Sequence, residues 1–336
     1  MSELLDIAAL KQVALHQRIS ARVHGQIDAL QQKVTSSQKP FYELSLVDGG
    51  GKLTLRAWSD SPSFAQCAAL KSGQFVEIEG EFSHNGSFGL DAKGWTVRLL
   101  TDEEKDEVLI GPVALREKQA TDYAYLVDTL ATLREPRLKA LTALFLAEYG
   151  ERFRRTAAAR NYHHARRGGL VEHVAGMMRA AVAIAGAYPH LHRDLLLAGV
   201  LFHDCGKLWE NAMPENGFTM AYDELGEMLG HITIGIELAN ALWRKLPLED
   251  WRTEEPSSEE VRRHLLHLIA SHHGSMEFGS PVDPKTPEAW ALHYIDNLDA
   301  KLEMFAKGYE TAAQIAPRIF ERVRPLPGNL VAPLPL

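Results

Sequence analysis

The stretch LFHDCGKLWE, Leu201–Glu210, decides how the second half of this chain is read. It continues an apolar run, DLLLAGV (Asp194–Val200), and so reads as part of a buried helix. At its centre His203 and Asp204 stand side by side, with Lys207 one helical turn on. Adjacent polar groups in so apolar a helix are costly to bury without partners. The pair must be bound to something.

Outward from that stretch the texture stays helical. YAYLVDTLATL (Tyr123–Leu133), RLKALTALFLAEYG (Arg137–Gly150) and LVEHVAGMMRAAVAIAGAY (Leu170–Tyr188) carry apolar residues at helical spacing. Ser257 with Glu260 forms a capping-box pattern before VRRHLLHLIASHH. Thr286-Pro287-Glu288 supplies an N-cap, a first-turn proline and an acidic first turn before AWALHYIDNLDAKLEMF. This half reads as all-α, closed by a proline-rich tail, RPLPGNLVAPLPL (Arg324–Leu336), that packs as an extended strap or frays.

The N-terminal half has a different texture. FYELSLVDGGGKLTLRAW (Phe41–Trp58) places Tyr42, Leu44 and Leu46 on one face, turns at Asp48–Gly51, and resumes with Leu53 and Leu55. GQFVEIEGEFSHNGSFGLDAKGWTVRLL (Gly73–Leu100) repeats the theme with Val76, Ile78 and Phe82, a turn at Asn85-Gly86, and a strand through Val97. Short alternating strands of this kind predict a small barrel or sandwich. DGGGK (Asp48–Lys52) is no phosphate loop, because such a loop precedes a helix and carries Ser or Thr after its lysine; a hairpin turn fits it.

The boundaries expected from these textures are an N-terminal helix over 1–17, a strand-rich domain over 18–102, a linker over 103–118 around Gly111-Pro112, a helical domain over 119–325 and a tail over 326–336. A chain of 336 residues supports two cores of this size. The start, MSELLDIAALKQ, lacks a basic region before an apolar one and is not a secretory signal, and no stretch has the uninterrupted apolar length of a membrane span. Cys67 and Cys205 are too far apart for a disulfide framework, which points to a reducing cytoplasm. A net charge of −8 argues against a general nucleic-acid coat but leaves room for local basic surface.

All histidines except His16, His24 and His84 lie in the helical half. His173, His203-Asp204, His231, His272-His273 and Asp296 come from different helices or helix ends, and packed helices can bring them to one point. Singly, each has a plainer reading, as a satisfied histidine or a surface carboxylate. Together, so many imidazoles and carboxylates at apolar helical positions favour a metal site, and mixed ligation of this kind suits Mn²⁺, Fe²⁺, Co²⁺ or Zn²⁺ better than Mg²⁺.

The order His173, His203-Asp204, Asp296 resembles the HD-domain phosphohydrolases. HHARRGGLVEHV, LLAGVLFHDCGKLWE, GHITIG and SHHG…EFGSPVDPKTPEAWALHYIDNLDAKLEMF, with the preceding strand-rich domain, resemble more narrowly the YhaM-type 3′–5′ exoribonucleases, over roughly residues 18 to 325. The resemblance implies an N-terminal OB-fold and a C-terminal HD domain. It implies two divalent cations, with Mn²⁺ ahead of Co²⁺, Fe²⁺ and Zn²⁺. His173, His203, Asp204 and Asp296 surround one ion; Asp204 bridges to a second, completed by His231 and by His272 or His273. Asp204 and Lys207 are the implied catalytic residues, Lys207 neutralising a phosphate oxygen. Asp299, one turn from Asp296, either orients a ligand or is a surface charge.

For the substrate, ERFRRTAAARNYHHARRGGL concentrates Arg152, Arg154, Arg155, Arg160, Arg166 and Arg167 before His173, a basic run that would attract a polyanion. His163 and His164 are candidate phosphate or base contacts. In an OB-fold, exposed aromatics stack single-stranded bases, and Trp58 and Phe88 are the candidates here. The expected function is removal of nucleotides from the 3′ end of single-stranded RNA, with single-stranded DNA left open. The rivals are a phosphohydrolase of small nucleotides, which has no use for an extended groove, and a non-catalytic nucleic-acid-binding adaptor, which has no use for the full ligand set.

Overall fold

The computed structural model, which describes residues 2–85, 89–160 and 164–334, begins with a short strand, β1 (Glu3–Leu5), and a helix, α1 (Ile7–His16). Asp6 caps that helix by accepting a hydrogen bond from Ala9 N at 2.8 Å. Five antiparallel strands follow: β2 (Ile19–Val34), β3 (Pro40–Val47), β4 (Lys52–Trp58), β5 (Phe75–Asn85) and β6 (Gly89–Leu99), with α2 (Pro62–Cys67) after β4. They lie in the order β4-β3-β2-β5-β6, and β1 pairs parallel to β2. The first half of β2 pairs with β5 and the second half with β3, with a bulge between Ile27 and Ala29. Such a bulge bends a strand and increases its twist, so β2 serves both halves of a coiled sheet. Across the seam between β6 and β4, where the described residues form no ladder, the Trp95 indole N–H donates to Arg56 O at 3.3 Å.

The alternation read from the sequence is the burial pattern. Leu44, Leu46, Leu53, Leu55, Val76, Ile78 and Phe82 fill the barrel. The DGGGK run is the β3–β4 hairpin, in register Val47↔Lys52. The Asp48 carboxylate accepts the amides of Gly50 (2.7 Å), Gly51 (2.8 Å) and Ile7 (2.8 Å), which pins the turn to the start of α1.

Three expectations about boundaries change. The stretch 103–118 is no linker: Thr101 and Glu104 close a capping box that starts α3 (Asp102–Ile110), and after Gly111, at φ +74°, α4 (Val113–Ala131) begins. The chain divides into Met1–Glu117 with Pro214–Thr219 and Lys307–Leu336, and Lys118–Met213 with Met220–Ala306. Pro214–Thr219 joins the barrel unit because the Gln26 side chain accepts the Phe218 amide at 2.7 Å and the Phe75 and Phe218 rings meet at 6.3 Å. Residues 307–336 belong there as well: β7 (Gln314–Ala316) and β8 (Ile319–Phe320), from the stretch expected to close the helical domain, pair with β9 (Leu330–Val331) of the tail in a small antiparallel sheet.

The second unit is helical: α5 (Pro136–Arg155), α6 (Gly169–Ala187), α7 (Arg193–Phe202), α8 (Lys207–Glu210), α9 (Glu224–Trp243), α10 (Ser258–Ser271) and α11 (Pro287–Thr311), with α4 and α11 running on into the other unit. The capping box at Ser257–Glu260 forms, and Thr286 Oγ1 accepts Ala289 N at 3.2 Å to start α11. Among the described residues α6 alone is long and apolar enough to cross a membrane, and half of that window is buried. Its apolarity is that of a central core helix, since Leu170, Val171, Val174, Met177, Met178 and Ala181 all pack inside.

Candidate metal centre

The His203-Asp204 pair is not inside a helix. α7 ends at Phe202, His203 is its C-cap, and the chain turns through Asp204, Cys205 and Gly206 before α8. Consecutive residues on a straight helix point about 100° apart, whereas in this turn both side chains reach one place. Gly206 makes the turn possible by close approach, because a Cβ there would overlap the main-chain oxygen of His231. His231 itself follows Gly230, whose φ of +68° and ψ of 159° break α9. His272 caps the end of α10. His173 projects from α6 and Asp296 from α11.

These residues converge on Asp204, and its two oxygens face different neighbours. Oδ2 lies 3.2 Å from His203 Nε2, 3.8 Å from His173 Nε2 and 2.7 Å from Lys207 Nζ. Oδ1 lies 3.5 Å from His231 Nε2 and 3.6 Å from His272 Nε2. Asp296 Oδ1 sits 3.3 Å from His173 Nε2. His231, His272 and His273 together offer donor atoms within 4.8 Å of one another, as do His173, His203 and Asp204. Both His272 and His273 therefore belong to the second cluster. His173, His203, Asp204 and His272 are almost wholly buried, while His231, Lys207 and Asp296 retain some exposure and mark the open side.

The other ring nitrogens fix the tautomers. His203 Nδ1 is 2.9 Å from Val200 O, His272 Nδ1 is 2.8 Å from Ile269 O, and His273 Nδ1 is 2.7 Å from Phe278 O. A carbonyl oxygen only accepts, so each Nδ1 carries the proton and each Nε2 presents a lone pair. Carboxylates play the same part for the other two rings: Asp299 Oδ2 lies 2.7 Å from His173 Nδ1, and Glu210 Oε2 lies 3.0 Å from His231 Nδ1. The Nε2 atoms of His203, His231 and His272, with Asp204 Oδ1, are buried and have no hydrogen-bond partner. Lone pairs facing lone pairs in a buried site repel unless a cation lies between them. The donor set fits divalent cations.

The charges agree. Burial opposes ionisation of Asp204, yet Lys207 and the imidazoles of His203 and His272 hold its carboxyl well below the usual range. Against the same burial, His173 holds Asp296 low, His164 and His173 hold Asp299 low, and His231 holds Glu210 low. Burial depresses His272, and with His272 beside it depresses His273 to about 4, so both rings are neutral at pH 7. His173 goes the other way: despite burial, Asp296 and Asp299 raise it to about 9, so its Nε2 gives up a proton before that nitrogen can hold a cation.

The residues expected to touch substrate are placed less simply. Arg166 bonds Glu172 twice, at 3.0 and 2.6 Å, and reaches Glu303 at 3.2 Å. Arg160 donates to the carbonyls of Glu210, Met220 and Ala221. Arg152 and Arg154 lie over the rings of Trp209 and Tyr123. The run of arginines is thus largely committed within the fold. Arg167 is half-buried, and its carbonyl accepts from Gln119. His164 is buried, with Nε2 3.2 Å from Asp299 Oδ2, so it stands behind His173. Trp58 is 44% exposed at the end of β4, tilted against Phe41. Phe88 and His163 lie outside the described residues. Glu210, which orients His231, was not singled out from the sequence, although it ends the same LFHDCGKLWE stretch. In the barrel, His24, Glu77 and Glu104 also cluster, but Arg98 already supplies their cation, 2.8 Å from Glu77 and 2.7 Å from Glu104.

A family model described as the HD domain matches residues 170–301, a span that holds every donor from His173 to Asp296. The chain is 32% identical over 306 residues to the 3′-5′ exoribonuclease YhaM of Bacillus pumilus, covering 89% of this chain and 88% of that one. It is 33% identical over 282 residues to the 3′-5′ exoribonuclease YhaM of Bacillus subtilis, covering 82% and 83%. Among solved structures, a replication protein A heterotrimer bound to ssDNA overlays 33% of this chain and 28% of its own at 25% identity, with a TM-score of 0.25. The fold is a five-stranded antiparallel barrel followed by a helical HD domain.

Proposed function

This chain belongs to the family of YhaM 3′-5′ exoribonucleases, and on that premise we propose that it is a metal-dependent hydrolase that removes nucleotides from the 3′ end of single-stranded RNA. One observation carries the reading at the level of chemistry: Asp204 presents one oxygen to His173 and His203 and the other to His231 and His272, with the unpartnered Nε2 atoms of His203, His231 and His272 turned toward it. His173, His203, Asp204 and Asp296 would hold one ion; Asp204, His231, His272 and His273 would hold the other. Imidazole-rich ligation disfavours Mg²⁺, and among Mn²⁺, Co²⁺, Fe²⁺ and Zn²⁺ the resemblance puts Mn²⁺ first, so Mn²⁺ is the proposed metal. When bound, such a pair of ions supplies an activated water and neutralises charge on the departing oxygen.

The chain's own residues do the rest. Asp299 and Glu210 keep the rings of His173 and His231 in the tautomer that frees Nε2. Lys207 holds a positive charge at the open side, where a phosphodiester oxygen gaining charge can pair with it. The buried walls lower the local dielectric and strengthen each of these interactions. In the barrel unit, Trp58 is the proposed stacking contact for the strand. We also propose a cytoplasmic location, in which the free, buried thiols of Cys67 and Cys205 stay reduced.

The test is incubation of the purified protein with Mn²⁺ and RNA labelled at its 5′ end. A descending ladder of shortened products supports the proposal. Intact RNA alongside turnover of a mononucleotide overturns it in favour of a small-nucleotide phosphohydrolase.

A further inference from the structure

The entry to α9 and its first two turns carry apolar side chains that the fold leaves open. Tyr222 is 76% exposed and Met228 74%, with Leu225 and Leu229 also exposed. Leu225, Met228 and Leu229 stand at i, i+3 and i+4 of α9 and share one side, and Tyr222 stands two residues before the first turn. The strip ends at Gly230, directly before His231. Exposed apolar side chains grouped in this way offer an interaction surface.

Tyr222 is prepared for a flat partner. The Arg160 guanidinium lies over its ring, with Cζ 4.2 Å from the centroid. Arg160 also donates to Met220 O (3.3 Å) and Ala221 O (3.0 Å), which fixes the backbone just before the tyrosine. Asp223 fixes the backbone just after it, capping α9 by accepting Gly226 N at 2.9 Å. The third bond from Arg160 runs to Glu210 O at 2.9 Å, and the Glu210 carboxylate holds His231. The platform is therefore tied through Arg160 and Glu210 to an imidazole of the metal centre.

We propose that Tyr222, backed by Arg160, stacks a nucleobase near the 3′ end of the substrate, and that Leu225, Met228 and Leu229 support the neighbouring base on the way to His231. The occupant is a single-stranded nucleic acid for reasons of charge and shape. A cation behind an aromatic ring suits a polyanion whose bases are flat, and a strip ending at a metal ligand suits the strand being cut. Glu224 and Glu227 sit in the same turns and repel phosphates, so base faces are held here while the backbone is left to the ions and Lys207. Every base has a π face, so the contact is blind to sequence. The inference rests on the exonuclease reading above.

The test uses the full chain with Mn²⁺ and 5′-labelled RNA that is either intact or abasic at its last two 3′ nucleotides. Tyr222→Ala should raise KM for intact RNA by about tenfold, with kcat within about twofold, and Tyr222→Trp should restore it. On abasic RNA, wild type and Tyr222→Ala should have equal KM. The salt dependence of KM should be the same for both proteins, because stacking releases no counterions. Wild type that leaves RNA intact sinks the exonuclease reading and this inference with it. Wild type that shortens RNA, with Tyr222→Ala equal to it on intact RNA, sinks this inference alone. A change of oligomeric mass in Tyr222→Ala without a change in KM assigns the strip to a second copy of the chain and also overturns it.

Discussion

Lys207 Nζ lies 2.7 Å from Asp204 Oδ2, an ammonium pressed against the same oxygen that faces His173 and His203. Lysine and a cation compete for that oxygen, so the two must share it unequally once an ion is bound. Replacing Lys207 by Met removes the competitor and the charge that meets the phosphate. Mn²⁺ affinity by calorimetry should hold or tighten, while kcat on RNA falls about 10²-fold. A variant that loses Mn²⁺ and activity together would assign Lys207 to building the site rather than to the reaction.

Asp204→Asn should remove both clusters at once, since one carboxylate serves each of them. For wild type, Mn²⁺ at a hundred times its Kd should add about 2.7 kcal/mol, a rise in Tm of about 5–10 °C for a unit of this size. EDTA should reverse the rise. The variant should show no Mn²⁺-dependent shift and no RNA cleavage.

Glu172 is buried among Arg166, Lys118 and Gln119, which hold its carboxyl at about 2 against the opposing effect of burial. A carboxyl depressed in the folded state stabilises the fold above its ordinary range near 4.5 and loses that contribution as pH falls toward 2. Glu172→Gln should lower stability at pH 7 by about 3 kcal/mol and flatten the acid limb between about pH 5 and pH 2. Urea denaturation across that range measures both. An acid limb equal to that of wild type would contradict the assignment.

Gly206→Ala should disturb the centre without touching a donor, because its Cβ would meet the carbonyl of His231. Stability should fall by about 1–3 kcal/mol. Mn²⁺ affinity should fall with it, as α9 is pushed outward and takes His231 along. Calorimetry of the folded variant, read beside its unfolding curve, checks both effects.

His164 is a positioning residue if it acts through Asp299, whose Oδ2 it approaches at 3.2 Å while His173 Nδ1 stands at 2.7 Å. Gly176 lets α6 pass so close to Asp299 that a Cβ there would overlap Oδ1, which leaves the carboxylate little freedom. His164→Gln should weaken Mn²⁺ about 10- to 100-fold. A contact to RNA alone would instead raise KM and leave metal affinity unchanged.

The residues of the candidate centre could be singled out because most stand among apolar helical positions, and His203-Asp204 in LFHDCGKLWE is the extreme case. The barrel strands were legible because Leu44, Leu46, Leu53 and Leu55 alternate with a period of two. Partnership across long separations was not legible. Arg166 looked like a phosphate ligand because Glu303, one of its two partners, is 137 positions away. Pro214–Thr219 looked like part of the helical domain because the Gln26 oxygen that receives Phe218 is 192 positions away. The break at His203 also escaped periodicity, since Gly206 is small enough to pass in a helix and its reason for being there is the carbonyl of His231.

Three of the five imidazoles lean on peptide oxygens, those of Val200, Ile269 and Phe278. A peptide oxygen is present whatever side chain the residue bears. A mutational scan can perturb packing at these three positions, but it cannot delete the groups that aim His203, His272 and His273. His173 and His231 depend instead on the side chains of Asp299 and Glu210, each removable by a single base change. The centre is accordingly uneven in its exposure to mutation: one part of its aim is written into the main chain, and the other rests on two carboxylates.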